Sequence, residues 1–147
     1  MKQTLYSQLY GNRLLENNNQ IVVFEECLNK LADDFKDEDI VELCRVLDDN
    51  TMEFEVMFGV IHLLETLSSE EAFMNTITGV VELKKHSPIW AKTIIYRCLN
   101  DEFSIKMINN ILPNLNKEVK NGFYSLLSEI NAEDGQQFGD AINKIKF

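Results

Sequence analysis

Residues 54–99 read FEVMFGVIHLLETLSSEEAFMNTITGVVELKKHSPIWAKTIIYRCL, and this stretch decides the fold. Phe54, Met57, Phe58, Ile61, Leu64 and Leu67 recur at the i, i+3, i+4, i+7 spacing of one helix face. Val56, Val60 and Leu63 add apolar positions around the rest of that helix, as expected of a helix enclosed by neighbours. Ser68 with Glu71 three residues on has the form of a capping box and opens a further helix through Phe73, Ile77, Val80 and Val81. Lys84, Lys85 and His86 suit the negative end of its dipole. Ser87-Pro88 is a helix start, with Ser at the N-cap and Pro at the first helical position. Trp90, Ile94, Ile95, Cys98 and Leu99 then carry the next apolar stripe. Three consecutive helices joined by short polar breaks leave no room for strands.

The same periods extend outward. Leu5, Leu9, Tyr10 and Leu14 suggest a short N-terminal helix, weakened by Gly11. The Asn17-Asn18-Asn19-Gln20 cluster breaks it, and Val23, Phe24, Cys27, Leu28 and Leu31 form the next stripe. Asp37-Glu38-Asp39 opens a helix through Ile40, Leu43, Cys44 and Leu47, with Asp37 as N-cap. On the C-terminal side, Phe103, Met107, Ile108 and Ile111 carry a helix stopped near Pro113. Asn116 caps one through Val119, Phe123, Leu126, Leu127 and Ile130. A turn is expected at 131–135, and Phe138, Ala141, Ile142 and Ile145 form a last helix. Gly (6) and Pro (2) are scarce among 147 residues, which favours long elements and short connections.

The expectation is a single all-α domain over residues 1–147, with about eight antiparallel helices. Glu55-Val56, Gly59 and Leu63-Leu64 are echoed 63 residues later by Glu118-Val119, Gly122 and Leu126-Leu127. That repeat suits hairpins of about 31 residues stacked as a short HEAT-like α-solenoid. The alternative is an irregular helical bundle.

Composition narrows the function. The net charge is −10, and residues 1–71 carry 16 acidic against 5 basic side chains while residues 72–147 carry 8 against 9. A field of that sign repels nucleic acid and anionic membranes and attracts basic proteins. Cys27, Cys44 and Cys98 are scattered among apolar residues and read as small buried hydrophobes of a reducing compartment. No secretion signal or membrane-spanning run is visible, so the cytosol is the expected location.

Chemical motifs are missing. His62 and His86 fall on different helices, and no metal motif surrounds them. No nucleophile elbow, phosphate loop or calcium loop is present. The paired acids Glu25-Glu26, Asp33-Asp34, Asp48-Asp49 and Glu70-Glu71 lie at helix ends and polar faces, where they read as solvated charge. No catalytic residue, metal ligand or cofactor is therefore assigned. Glu42, Asp48, Asp49, Glu53 and Glu55 are the expected partner-binding residues, gathered near one helix–helix turn where charge is dense. His62, Glu65, Trp90, Tyr96 and Arg97 are the second set, lining a pocket or interface between the third and fifth helices. Trp90 in particular reads either as core or as an interface anchor.

The middle of the chain also resembles a known family. Asp48-Asp49-Asn50-Thr51, followed by Val56-Met57-Phe58-Gly59-Val60-Ile61-His62-Leu63-Leu64-Glu65, is similar to a stretch of the immunity protein 30 family of bacterial polymorphic-toxin systems. Trp90-Ala91-Lys92-Thr93-Ile94-Ile95-Tyr96-Arg97-Cys98-Leu99-Asn100-Asp101 resembles its W-A…Y-R-x-L-N segment. The resemblance implies a cytosolic antidote that neutralises a cognate toxin and is not an enzyme. It carries over no catalytic or binding residue. Joined to the charge split, it makes the expected partner a basic toxin domain, a nuclease being one such class. A helical-repeat adaptor for another protein or peptide is the competing reading, and an enzyme using His62, Glu65, Tyr96 and Arg97 is a third.

Overall fold

A computed structural model describes residues 1–147. It contains eight α-helices and no strand: α1 (Lys2–Gly11), α2 (Asn18–Ala32), α3 (Ile40–Cys44), α4 (Phe54–Leu64), α5 (Glu70–Leu83), α6 (Pro88–Leu99), α7 (Glu102–Ile111) and α8 (Lys117–Asn143). Single 3-10 turns at Asp37–Asp39 and Leu112–Asn114 precede α3 and follow α7.

Local caps explain most of the boundaries. The carboxamide of Asn17 accepts from the Gln20 N–H, and that of Asn116 accepts from the Val119 N–H. The cap of α5 is Ser69 rather than Ser68, its hydroxyl accepting from the Ala72 N–H. The helix expected from Asp37 is cut to a 3-10 turn and one short helix ending at Cys44, although Leu47 beyond it is still buried. In α1 the inward residues are Tyr6 and Leu9, while Tyr10 lies outside beneath the Arg13 guanidinium. Leu15 ends the first connection at φ 52°, a left-handed conformation uncommon for a branched side chain, with its side chain fully buried.

The expected turn at 131–135 is instead a kink within α8, whose one residue outside helical geometry is Asp134. The chain swerves there without leaving the helix, because Asp134 and the following turn are both held against α6.

The helices pack pairwise, α1 on α2, α3 on α4 and α5 on α6, and also two apart: α2 on α4, α3 on α5, α5 on α7 and α6 on α8. These contacts fit a helical bundle or a solenoid-like stack. They depart from a one-dimensional array at α5, which also meets α8. Two glycines permit these approaches. A Cβ on Gly79 would stand 2.8 Å from Cys44 Sγ, and one on Gly122 would stand 2.5 Å from Val81 Cγ1. One apolar cluster runs through all the pairs, with Phe24, Met57, Ile77, Trp90 and Phe123 among its fully buried members.

Candidate partner-binding surface

The segment between α3 and α4 was expected to present open charge, and half of it does. Asp48 and Asp49 are half-buried and occupied with internal partners. Asp48 accepts from Arg13 Nε at 2.9 Å and from the Asn50 N–H at 2.8 Å, and its carbonyl accepts from Trp90 Nε1 at 3.0 Å. Asp49 accepts from the backbone N–H groups of Ile89 and Trp90 at 3.0 and 3.1 Å. It therefore caps α6 from a distance of forty residues. Ser87 holds the N-cap position of α6 but makes no side-chain cap. Its buried hydroxyl instead donates to the Leu47 carbonyl and accepts from the Asp49 N–H. The Met52 N–H donates to the Leu14 carbonyl at 2.8 Å. Residues 47–52 thus fasten the start of α6 and the end of the first connection to each other.

Beyond that clasp the charge is open. Glu53 and Glu55 are exposed, with no cationic side chain within ion-pair distance. Met52 and Phe54, their chain neighbours, are exposed at 69% and 42% of their surface, and Ile89 in the first turn of α6 at 54%. Phe54 lies 4.9 Å from the Trp90 ring, and Phe58 meets the same ring edge-on at 5.2 Å. Trp90 itself is buried, so it is the floor of this corner and not the side chain that a partner meets.

Glu42 sits apart, on a polar cleft of about 650 Å³ with Tyr10, Arg13, Arg45 and Glu82. Arg45 donates to Glu82 through Nε at 2.9 Å and to Glu42 through Nη1 at 2.6 Å. The hydrogen bond from Arg45 holds the Glu82 carboxyl below the usual carboxylate range and raises the guanidinium in return.

The second expected set does not converge. Glu65 and Arg97 form a bidentate pair at 2.6 and 2.8 Å on a cleft of about 500 Å³ between α4, α5, α6 and α7. Tyr96 turns the other way, donating to Asp134 at 2.9 Å and stacking on Phe138. His62 is exposed beside Phe58 and lines a shallow groove of about 290 Å³ between α2 and α4, opposite Glu25. An acid–base site from these four is therefore not assembled.

Burial first, and then Glu82, push the Cys44 thiol up to about 12. Burial also keeps the Cys98 thiol protonated, pushing it up to about 12. No group of three or more His, Cys, Asp or Glu side chains is placed to hold a metal ion. No helix is long and apolar enough to cross a membrane. The sequence reading missed Met52 and Ile89 as exposed apolar residues at the starts of α4 and α6. For Ile89 a signal was present: it follows Pro88 in the first turn, outside the stripe running from Trp90 to Leu99.

The geometry defines an all-α protein whose distinguishing features lie on its surface. Residues 11–108 match the model of a family described as Immunity protein 30. No curated protein and no solved structure matches the chain. The family match covers two-thirds of the chain, from the last residue of α1 into α7, and contains both segments that carried the resemblance. This protein belongs to the immunity protein 30 family.

Proposed function

We propose that this protein is an immunity protein that binds a cognate toxin in the cytoplasm and neutralises it without catalysis. Family membership over residues 11–108 carries this reading. The charge split supports a partner of basic character, because the acidic excess lies wholly in residues 1–71. A toxin whose active cleft binds nucleic acid has that character. A carboxylate surface speeds docking onto such a cleft and suppresses wrong partners.

Glu53 and Glu55 are the proposed contact residues, since their charge is not spent inside the chain. Glu42 is less suited to this role, because Arg45 takes up its charge. Asp48 and Asp49 serve the surface by fixing the segment from which Glu53 projects. Acidic side chains are otherwise common solubility devices, and binding is what distinguishes the two roles.

The test is co-expression with the toxin domain encoded by the adjacent gene. Growth should be restored by this chain, and the two should co-purify. Unchanged killing in the presence of well-folded chain would sink the proposal. Restored growth with no complex would point to an indirect route.

A further inference from the structure

We infer that the exposed apolar corner formed by Met52, Phe54 and Ile89 is the anchoring centre of the docking surface. Its occupant is an apolar side chain on a basic segment of the toxin. The inference rests on the proposed function and adds to it a centre, a rim and a division of labour.

Three observations carry it. First, the three side chains expose 69%, 42% and 54% of their surface at the starts of α4 and α6, which Asp49 and the Phe54–Trp90 contact hold together. Second, the corner is backed by rigid aromatic packing, with Phe54 and Phe58 both on the buried Trp90 ring at 4.9 and 5.2 Å. Third, the charge beside it is negative: Glu53, between Met52 and Phe54, and Glu55, on the side of α4 that lines the α2–α4 groove, have no cationic partner, while Lys92, one turn further along α6, is drawn off to Glu133 at 3.0 Å. An apolar centre edged by charge is the anatomy of a protein interface, and hot spots lie in such centres. The lone negative sign selects the occupant: a segment with lysine or arginine beside the apolar side chain meets both demands, while an acidic or neutral one leaves Glu53 and Glu55 desolvated without a partner.

The cleft of about 500 Å³ between α4 and α7 is a weaker choice. Its Glu65 and Arg97 satisfy each other, and its Asp101 is taken up in capping α7 through Ser104.

The experiment measures association and dissociation rates of the full chain with the toxin domain of the adjacent gene, by surface plasmon resonance at low and moderate salt. Two variant pairs are compared, Met52→Ser with Ile89→Ser and Glu53→Gln with Glu55→Gln. These side chains are exposed, and circular dichroism confirms that each variant is folded. The apolar pair should raise the dissociation rate by about ten- to a hundredfold and leave the salt dependence intact. The glutamine pair should slow association several-fold at low salt and flatten its salt dependence. Wild-type binding with dissociation unchanged within about twofold in the apolar pair overturns this inference and leaves the proposed function standing. A wild-type chain that does not bind the toxin overturns both.

Discussion

Tyr96 donates its hydroxyl to Asp134, the one residue of α8 outside helical geometry, while its ring lies 4.7 Å from that of Phe138 and within 9° of parallel. One side chain of α6 thus grips the kink of α8 on both sides. Tyr96→Phe keeps the stack and loses the hydrogen bond. It should cost about 0.5–1.5 kcal/mol at pH 7, measured by urea unfolding. Burial, then the bond to Asp134, raise the Tyr96 hydroxyl to about 12. A raised folded value contributes stability that is complete below pH 10 and lost as the pH climbs toward 12. The wild-type chain should therefore lose more stability than Tyr96→Phe over that interval. Equal alkaline slopes would contradict this assignment.

Asp49 makes a second, separate prediction. Its carboxylate satisfies two N–H groups at the start of α6 that have no partner within the helix. Asp49→Ala should destabilise the chain by about 1–2 kcal/mol, as loss of a side-chain cap does. Asp49→Lys should cost more. Charge reversal at Asp49 consequently tests folding, whereas reversal at Glu53 tests docking. Thermal unfolding of the two variants side by side separates these effects.

Gly122→Ala sets helix propensity against packing. In an open helix the change would gain about 0.8–1 kcal/mol. Here the added methyl meets Val81, a β-branched side chain with little freedom to turn aside. The expected result is a net loss of about 1–3 kcal/mol. Val81→Ala should be better tolerated in the Gly122→Ala background than alone, and a double-mutant cycle reads that coupling directly.

The Arg45–Glu82 pair should show its pH dependence on the acid side. Arg45 lowers the folded carboxyl value, so the pair's contribution is present above the unfolded value near 4.3 and fades as the pH falls through the folded one. Both side chains are substantially exposed, and solvent holds the contribution to about 0.2–1 kcal/mol. Glu82→Gln should be slightly less stable than wild type at pH 7 and indistinguishable from it below about pH 3. A difference that grows with acidity would show that the pair is not the cause.

These relationships also mark what the sequence makes readable. Asn116 acts on the Val119 N–H within one helical turn, and Pro88 is pre-set for the first helical position, so local spacing suffices to place the starts of α8 and α6. Asp49 acts on N–H groups forty residues away, and nothing in Asp48-Asp49-Asn50 distinguishes a carboxylate aimed at a helix end from one aimed at water. The same ambiguity covers Glu65 and Arg97, which join across two helices, and Tyr96, which the same helix turns toward α8. Charge counts locate the acidic half of the chain correctly. They do not separate Asp48, held by Arg13, from Glu53, held by nothing. Gly59 and Gly122 stood out as an internal echo, but that Gly122 makes room for Val81 is a property of the assembled helices alone. The kink at Asp134 was legible as an interruption. Its form depends on Tyr96 and Phe138 both being in reach.

The clasp at residues 47–52 has a consequence beyond stability. Fixing one flexible residue costs about 1–2 kcal/mol of backbone entropy, which a loop that orders only on contact must surrender at the moment of association. Bonds to Arg13, Leu14, Ser87, Ile89 and Trp90 impose that order on the free chain. The backbone that carries Met52 and Glu53 is therefore ordered before the proposed docking takes place. In the proposed antidote role, such a surface would meet its target with little backbone rearrangement left to make.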